Sequence, residues 1–184
     1  MASDKKGLET EISIPDKVVA RIDGTTLHLK GPKGENKRNF NNPELKIRIK
    51  DSEITVSSIK NTRREKKLVY AILAHIRNML KGVTEGHKYV LKICASPFPM
   101  NVAVSNNQII IKNFIGEKYP RVLQLKAGAT VKIDGDFINI ESTEKEIAGT
   151  IASDIERLTK RPNFDPRIFQ DGIYIINKDG KETK

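Results

Sequence analysis

Alternating apolar and polar positions predict short β-strands at the start of the chain. The alternation runs through residues 8–14, 18–22 and 27–30, with the period of two that places every second side chain on one face of a sheet. An Asp23-Gly24 pair separates the last two segments and favours a tight turn. These residues therefore predict neighbouring antiparallel strands with one buried face.

Two hairpins followed by two helices are predicted further along. Residues 47–56 and 131–140 each hold two alternating apolar triplets around a polar turn. After each hairpin comes a Thr-x-x-Glu capping box, at Thr62 and Thr143, which is typical of a helix start. The helical apolar stripes are Leu68, Ile72, Ile76 and Met79, and then Ile147, Ile151, Ile155 and Leu158. Each helix can cover one sheet face.

The second half of the chain repeats the design of the first with an offset of 82 residues. Strands at residues 91–95, 102–104 and 109–112 follow the order of the first copy. Four positions are identical, pairing Pro15 with Pro97, Lys30 with Lys112, Gly34 with Gly116 and Glu35 with Glu117. The repeat predicts an α+β fold of two tandem, similar domains, each mainly an antiparallel sheet with one packed helix.

The repeat also sets the expected domain limits. We expect an N-terminal domain at residues 1–82 and a C-terminal domain at residues 83–184, with a hinge at residues 82–86. Polar composition predicts short tails at residues 1–7 and 177–184.

Composition is that of an ordinary globular protein, with 184 residues of which 38% are apolar. The single cysteine, Cys94, excludes an intramolecular disulfide and a multi-cysteine metal site. No segment approaches the roughly 20 apolar residues of a membrane span, and the first residues lack the apolar run of a signal peptide. We therefore expect a cytosolic protein with no membrane partner.

A net charge of +10 favours a polyanionic partner such as nucleic acid. Residues 1–82 hold 18 basic and 10 acidic side chains, and residues 83–184 hold 15 and 13. In the second half the acidic residues group at 134–156, whereas basic residues group at 112–126 and beyond the second helix. Such a polarised domain would orient itself in the field of RNA phosphates.

Four cations in the first half lie at a predicted helix start, where positive charge is unfavourable. Arg63, Arg64, Lys66 and Lys67 open a helix, where the macrodipole disfavours positive charge. A bound phosphate would offset this, because a helix N-terminus is itself an anion site. A solvated charged face is the equally favoured alternative.

No catalytic, cofactor or metal site is predicted. His28, His75 and His87 fall in a strand, on a helix and in a linker, without the spacing of metal ligands. Cys94 lies in an alternating apolar strand and is interpreted as a small buried hydrophobe. The glycines form neither of the phosphate-binding loop patterns of nucleotide enzymes.

Aromatic residues are few, with six Phe, four Tyr and no Trp. No strand carries the spaced aromatic residues on which single-stranded RNA readers stack bases. We therefore expect recognition of the sugar-phosphate backbone of structured RNA. The scattered rings are interpreted as core or loop anchors, namely Phe40, Tyr70, Phe98, Phe114, Phe137 and Phe164.

Three segments resemble the large-subunit ribosomal protein L-six family, in its archaeal and eukaryotic branch. They are HIRNMLKGVTEGHKY at residues 75–89, NFIGEKYPR at 113–121 and FQDGIY at 169–174. With the tandem repeat, the resemblance extends from about Glu11 to Ile176.

The resemblance implies a structural, non-catalytic constituent of the large ribosomal subunit. Such a protein binds large-subunit rRNA near the sarcin-ricin loop and the factor-binding region. The implied partners are this rRNA, neighbouring large-subunit proteins and, transiently, translation factors near the stalk base.

Because the C-terminal domain supplies the main rRNA contacts in that family, the resemblance points to the basic groups of the second half. The expected RNA-binding residues are Lys112, Asn113, Gly116, Lys118, Arg121, Lys126, Lys160, Arg161 and Arg167, with Arg63, Arg64, Lys66 and Lys67 as a second set. Two alternatives stay open. One is a free tandem-domain regulator of mRNA or tRNA, and the other is an enzyme using His75 or Cys94.

Overall fold

The computed structural model describes residues 8–50, 52–96, 98–165 and 167–183. Its contacts divide the chain into two compact units, with the boundary between Gly86 and His87. The predicted polar tail at residues 1–7 lies outside the described residues. Among the described residues, neither α-helix is long and apolar enough to span a membrane.

The first unit contains six strands and one α-helix within its described part. In chain order these are β1 Leu8–Ser13, β2 Val19–Asp23, β3 Thr26–Gly31, β4 Gly34–Asn39, β5 Leu45–Lys50, β6 Glu53–Ser58 and α1 Arg63–Thr84. They form two antiparallel sheets of order β1-β6-β5 and β2-β3-β4. Strand β4 was not predicted, because its sequence GENKRN has no apolar side chain and it depends on pairing with β3.

Helix α1 packs its apolar stripe against strands of both sheets. Ile72, Ile76 and Met79 are buried as predicted, and Leu68 packs partly buried against the same core. The rest of the buried core consists of Val18, Leu27, Leu29, Leu45, Ile54, Val56, Val69, Leu73, Leu80 and Val83.

The predicted hinge at residues 82–86 is wrong over most of its length, because α1 continues to Thr84. Val83 is fully buried in its last turn, and the Val83 carbonyl accepts a hydrogen bond from the Lys33 N–H at 3.0 Å. A Cβ on Gly31 would lie 2.6 Å from that carbonyl oxygen. The helix end is therefore held by close backbone packing against the β3–β4 turn.

The second unit repeats the order of the first and adds a hairpin. Its elements are β7 His87–Cys94, β8 Asn101–Ser105, β9 Gln108–Lys112, β10 Arg121–Gln124, β11 Ala129–Asp134, β12 Phe137–Ser142, α2 Lys145–Leu158, β13 Gly172–Lys178 and β14 Lys181–Glu182. The sheets have the orders β11-β12-β7-β13-β14 and β10-β9-β8.

The duplication predicted from the sequence is confirmed by the matching topology. Strands β5-β6-β1 of the first unit correspond to β11-β12-β7 of the second, and β2-β3 to β8-β9. Helix α1 begins at Arg63 and α2 begins 82 residues later at Lys145. The fold is therefore two tandem α+β units, each with antiparallel sheets and one packed α-helix.

The predicted polar tail at residues 177–184 is wrong for residues 177–183, which form a hairpin. Lys184 lies outside the described residues. Asn177 and Lys178 end β13 and pair with β14. Between them, Asp179 and Gly180 turn the chain with φ of 54° and 88°. An Asp-Gly pair between two strand segments is a hairpin signal that the polar composition obscured.

The start of α1 lacks the side-chain geometry of its predicted capping box, and the start of α2 is one residue later than predicted. Thr62 is the N-cap of α1, but its side chain makes no capping hydrogen bond, and Glu65 is buried. Helix α2 has Glu144 rather than Thr143 as its N-cap. The buried Ser142 Oγ accepts a hydrogen bond from the Glu144 N–H at 3.1 Å.

Two residues considered for chemistry lie differently from the prediction. His87 is the fully buried first residue of β7 rather than part of a linker. Its Nδ1 lies 3.1 Å from Asp179 Oδ2, and Lys145 Nζ lies 3.7 Å from the same oxygen. Cys94 ends β7 half-buried rather than buried. His87 and Cys94 are therefore the first and last residues of β7 in the sheet of the second unit.

Candidate nucleic-acid interface

The loop between β9 and β10 has an unusual backbone. Residues 114–116 form a 3₁₀ turn in which Ile115 and Gly116 have φ of 49° and 75°, and the preceding Asn113 has φ of 58°. A β-branched residue in this left-handed region is strained. The buried Phe114 anchors the loop in the core, and Asn113 Nδ2 donates a hydrogen bond to the Pro99 carbonyl at 3.0 Å. The loop is therefore anchored in the core at Phe114 and bonded to Pro99 at its start.

Arg121 ties this loop to the end of α2. Its Nε and Nη2 donate to the two carboxylate oxygens of Glu117 at 2.8 and 2.6 Å. Its Nη1 donates to the Leu158 carbonyl at 2.6 Å, where the guanidinium also meets the negative end of the helix dipole. The guanidinium carbon lies 4.3 Å from the centroid of the Phe114 ring. Each nitrogen of the Arg121 guanidinium is therefore bonded within the protein.

Two arginines lower the pKa of the Glu117 carboxylate in this loop. The hydrogen bond from Arg121 holds the pKa of Glu117 below its usual value, and the charges of Arg121 and Arg161 add to that effect. Arg161, which lies beyond α2 in sequence, is thus close enough to act on the β9–β10 loop.

The segment after α2 is fixed by Thr159. The buried Thr159 Oγ1 accepts a hydrogen bond from the Ile173 N–H at 3.0 Å and donates to the Glu156 carbonyl at 3.1 Å. This pair of bonds joins the C-terminal end of α2 to β13. Lys160 and Arg161 therefore leave the helix from a fixed point.

The cations of this segment lie beside aromatic rings and carboxylates. The Arg161 guanidinium stacks 3.6 Å from the Phe164 ring centroid. Arg167 forms a fork with Asp165, with Nη2 to Oδ2 at 2.9 Å. This pairing lowers the pKa of Asp165 and raises the pKa of Arg167. Because the Arg167 side chain is 89% exposed, the pair lies at the surface.

The structure brings three of the predicted second-half residues, Arg121, Lys160 and Arg161, to the end of α2. Ile115 from the β9–β10 loop and Lys160 and Arg161 from the segment after α2 line one cleft. Lys118 and Lys160 are exposed and form no ion pair with any residue that the structure describes. Arg121 joins the two segments through its bond to the Leu158 carbonyl. Of the other predicted residues, Lys112, Asn113, Gly116 and Lys118 lie on or beside the β9–β10 loop, and Arg167 lies in the segment after α2.

Lys126 and the first-half set lie elsewhere. Lys126 follows β10, and Leu125 is bonded to the Asn107 turn at the end of the sheet away from the β9–β10 loop. The second predicted set, Arg63, Arg64, Lys66 and Lys67, forms exposed positions in the first turns of α1 in the other unit.

The interpretation of the aromatic residues as core or loop anchors is wrong for Tyr70 and Phe137, which are exposed on α1 and β12, whereas Phe164 packs on Phe169 and Arg161 in a loop. Phe114 is buried and Phe40 packs partly buried, but Tyr70, Phe98, Phe137 and Phe164 are exposed. The exposed rings Tyr119, Phe169 and Tyr174 also lie in the second unit and were not singled out from the sequence. Their closeness in sequence to Lys118, Arg161 and Arg167 was the available signal.

Comparison with known proteins identifies the family. The family model of ribosomal protein L6 matches residues 14–86 and 98–172, one match in each compact unit. The chain belongs to the ribosomal protein L6 family. The predicted resemblance is thereby confirmed, and the two family matches coincide with the two tandem units.

Curated L6-family relatives are similar over nearly their whole length. The large ribosomal subunit protein uL6 of Methanospirillum hungatei is 38% identical over 171 residues, or 93% of this chain and 97% of that protein. The protein of the same name from Methanococcus vannielii is 39% identical over 174 residues, covering 95% and 96%. That from Sulfurisphaera tokodaii is 40% identical over 173 residues, covering 94% and 93%.

Proposed function

We propose that this chain is a structural component of the large ribosomal subunit that binds large-subunit rRNA through its second unit. The observation that carries the proposal is the cation-rich β9–β10 loop, which Arg121 joins to the end of α2 beside Lys160 and Arg161, in a chain of the L6 family. Its place is proposed from the family resemblance to be near the sarcin-ricin loop and the factor-binding region. Its partners there are neighbouring ribosomal proteins and, transiently, translation factors, in the cytoplasm.

Among the predicted RNA-binding residues, the cations are assigned three roles. Lys112, Lys118 and Lys160 are exposed and available to phosphates, and each such contact releases counterions from the RNA. Arg121 is assigned to positioning, because its guanidinium is bonded to Glu117 and to the end of α2. Lys126 and the α1 set are assigned to peripheral contacts.

Rigidity supports an architectural role rather than an adaptable one. The loop has strained residues held by a buried ring and by Arg121, so little conformational entropy is lost when RNA binds. Phosphate contacts from such a surface fix the register and orientation of the protein on a folded RNA. No bond-making step is part of the proposal.

Sucrose-gradient sedimentation tests whether the protein is a subunit component. After a moderate salt wash, the proposal expects the protein to sediment with the large subunit. A protein that stays at the top of the gradient would instead favour a free regulator of mRNA or tRNA.

Salt titration tests the proposed face. Replacing Lys118 or Lys160 with Ala should each flatten the slope of log K against log salt for the large-subunit rRNA by about 0.7 to 0.9. Lys132→Ala, an exposed cation on β11 remote in sequence from both groups, is the matched control and should leave the slope unchanged. Equal effects of all three substitutions would contradict a localised face.

A further inference from the structure

A cleft lined in part by Lys160 and Arg161 has the volume of a site for a small ligand. Its volume is about 470 Å³, inside the roughly 300–1,000 Å³ of sites that bind small ligands. The rings of Phe164, Phe169 and Tyr174 line it while remaining 41%, 45% and 38% exposed. Three partly exposed rings around one opening leave apolar surface for a ligand to cover.

The rings are held in place by their neighbours. Phe164 and Phe169 meet edge to face, with centroids 5.1 Å apart and an interplanar angle of 87°. Arg161 already stacks on Phe164. Tyr174 lies in β13, which pairs with β7. Phe169 and Tyr174 are therefore the rings left to stack on a ligand, and neither has to be ordered on binding.

Polar groups around the same cleft match the other parts of a nucleotide. Arg157 and Lys160 supply positive charge for a phosphate. Glu156 Oε1 accepts a hydrogen bond from the Ile175 N–H at 3.3 Å, and Asp171 Oδ1 accepts one from the Ser96 N–H. Each carboxylate retains further acceptor capacity, which suits the N–H groups on the edge of a base.

We propose that this cleft receives one unpaired, unstacked nucleotide of the bound RNA. Its base packs against Phe169 and Tyr174, and its phosphate lies by Arg157 and Lys160. The occupant must come from a loop or bulge, because the bases of a continuous helix are stacked and paired. The inference rests on the proposed RNA-binding function and adds a base contact to a surface otherwise argued from phosphates.

An abasic probe separates the base from the backbone. Binding of the full-length protein to an octameric oligoadenylate, and to an octamer of the same sugar-phosphate backbone without bases, is measured by fluorescence anisotropy at low salt. Base stacking predicts tighter binding of the base-containing octamer, by roughly five- to a hundredfold, and Phe169→Leu should remove most of that ratio. Lys160→Gln should weaken both octamers equally and so preserve the ratio.

Phe137→Leu is the matched control, because Phe137 is 41% exposed in β12 and does not line the cleft. It should leave both affinities unchanged, and circular dichroism should give the same folded spectrum for all variants. Equal binding of the two octamers by the unaltered protein, or a ratio that survives in Phe169→Leu, would overturn the inference. Either result would leave the proposed function intact, since that depends on sedimentation with the large subunit.

Discussion

At the scale of single residues, the partners of a cation decide what it can bind. Lys118 in the β9–β10 loop and Arg121 at the start of β10 lie three residues apart, and the sequence marks both as candidate phosphate ligands. In the structure Lys118 faces solvent, whereas Arg121 is bonded to Glu117 and to the carbonyl of Leu158. The sequence shows where charge lies but not which charge is already used within the protein.

Arg121→Ala and Lys118→Ala should therefore have opposite signatures. Loss of the Arg121 hydrogen bonds should lower the free energy of unfolding by about 1–3 kcal/mol, because the Leu158 carbonyl and the Glu117 carboxylate lose a charged donor. The salt slope of rRNA binding should stay unchanged in that variant. Lys118→Ala should flatten the slope and leave stability within about 0.5 kcal/mol. Urea unfolding and salt titration of the two variants check this pair.

Acid should weaken the same bond. The pKa of Glu117 is lowered in the folded protein from its usual 4.5. The bond between Arg121 and Glu117 therefore stabilises the fold fully above pH 4.5, and this stabilisation is lost as the pH falls through the lowered pKa. Urea unfolding from about pH 6 to about pH 3 should show a smaller decline in Glu117→Gln than in the unaltered protein. An identical decline in both would mean that the Arg121 bond contributes nothing to the acid response.

At the scale of elements, regular patterns were predictable and irregular ones were not. Alternation and helical spacing were enough to place β1, β2, β3 and both helices. Strands β4 and β10 lack a strong alternating apolar pattern and depend on pairing with β3 and β9. The candidate cleft could not be predicted either, because its lining comes from the β9–β10 loop, α2, the segment after α2 and β13.

The backbone at Gly31 lies in close contact with the end of α1 at Val83. Gly31→Ala should destabilise the protein by about 1–3 kcal/mol, because the new methyl group would lie 2.6 Å from the backbone oxygen of Val83. Thermal unfolding compares it with Lys37→Ala, an exposed position on the adjacent β4, where we expect a change within about 0.5 kcal/mol. Equal stability of the two variants would contradict close packing at this helix end.

The added strand β13 is part of the core of the second unit. Ile173 is fully buried, and its N–H is bonded to Thr159. Ile173→Ala should lower the free energy of unfolding by about 2–5 kcal/mol, whereas Ile168→Ala, at a residue that is 74% exposed, should have little effect. Urea unfolding measures both. A small loss for Ile173 would mean that the strand is peripheral to the sheet.

At the scale of the whole molecule, duplication produced two units that have since diverged. The first retains two three-stranded sheets, and the second gains β13 and β14 together with the segment that carries Lys160, Arg161 and Phe169. With the boundary after Gly86, residues 1–86 hold 18 basic and 11 acidic side chains, and residues 87–184 hold 15 and 12. The proposed rRNA-binding face thus lies in the unit with the smaller net positive charge. Local clustering of cations, rather than the net charge of a unit, makes a docking face.

Crosslinking in intact large ribosomal subunits tests the central claim most directly. Ultraviolet crosslinks between this protein and rRNA are mapped to residues by mass spectrometry. The account predicts crosslinks concentrated at residues 112–119 and 157–169 of the second unit. Crosslinks confined to the first unit, or to β11 and β12 of the second, would contradict the proposed rRNA-binding face.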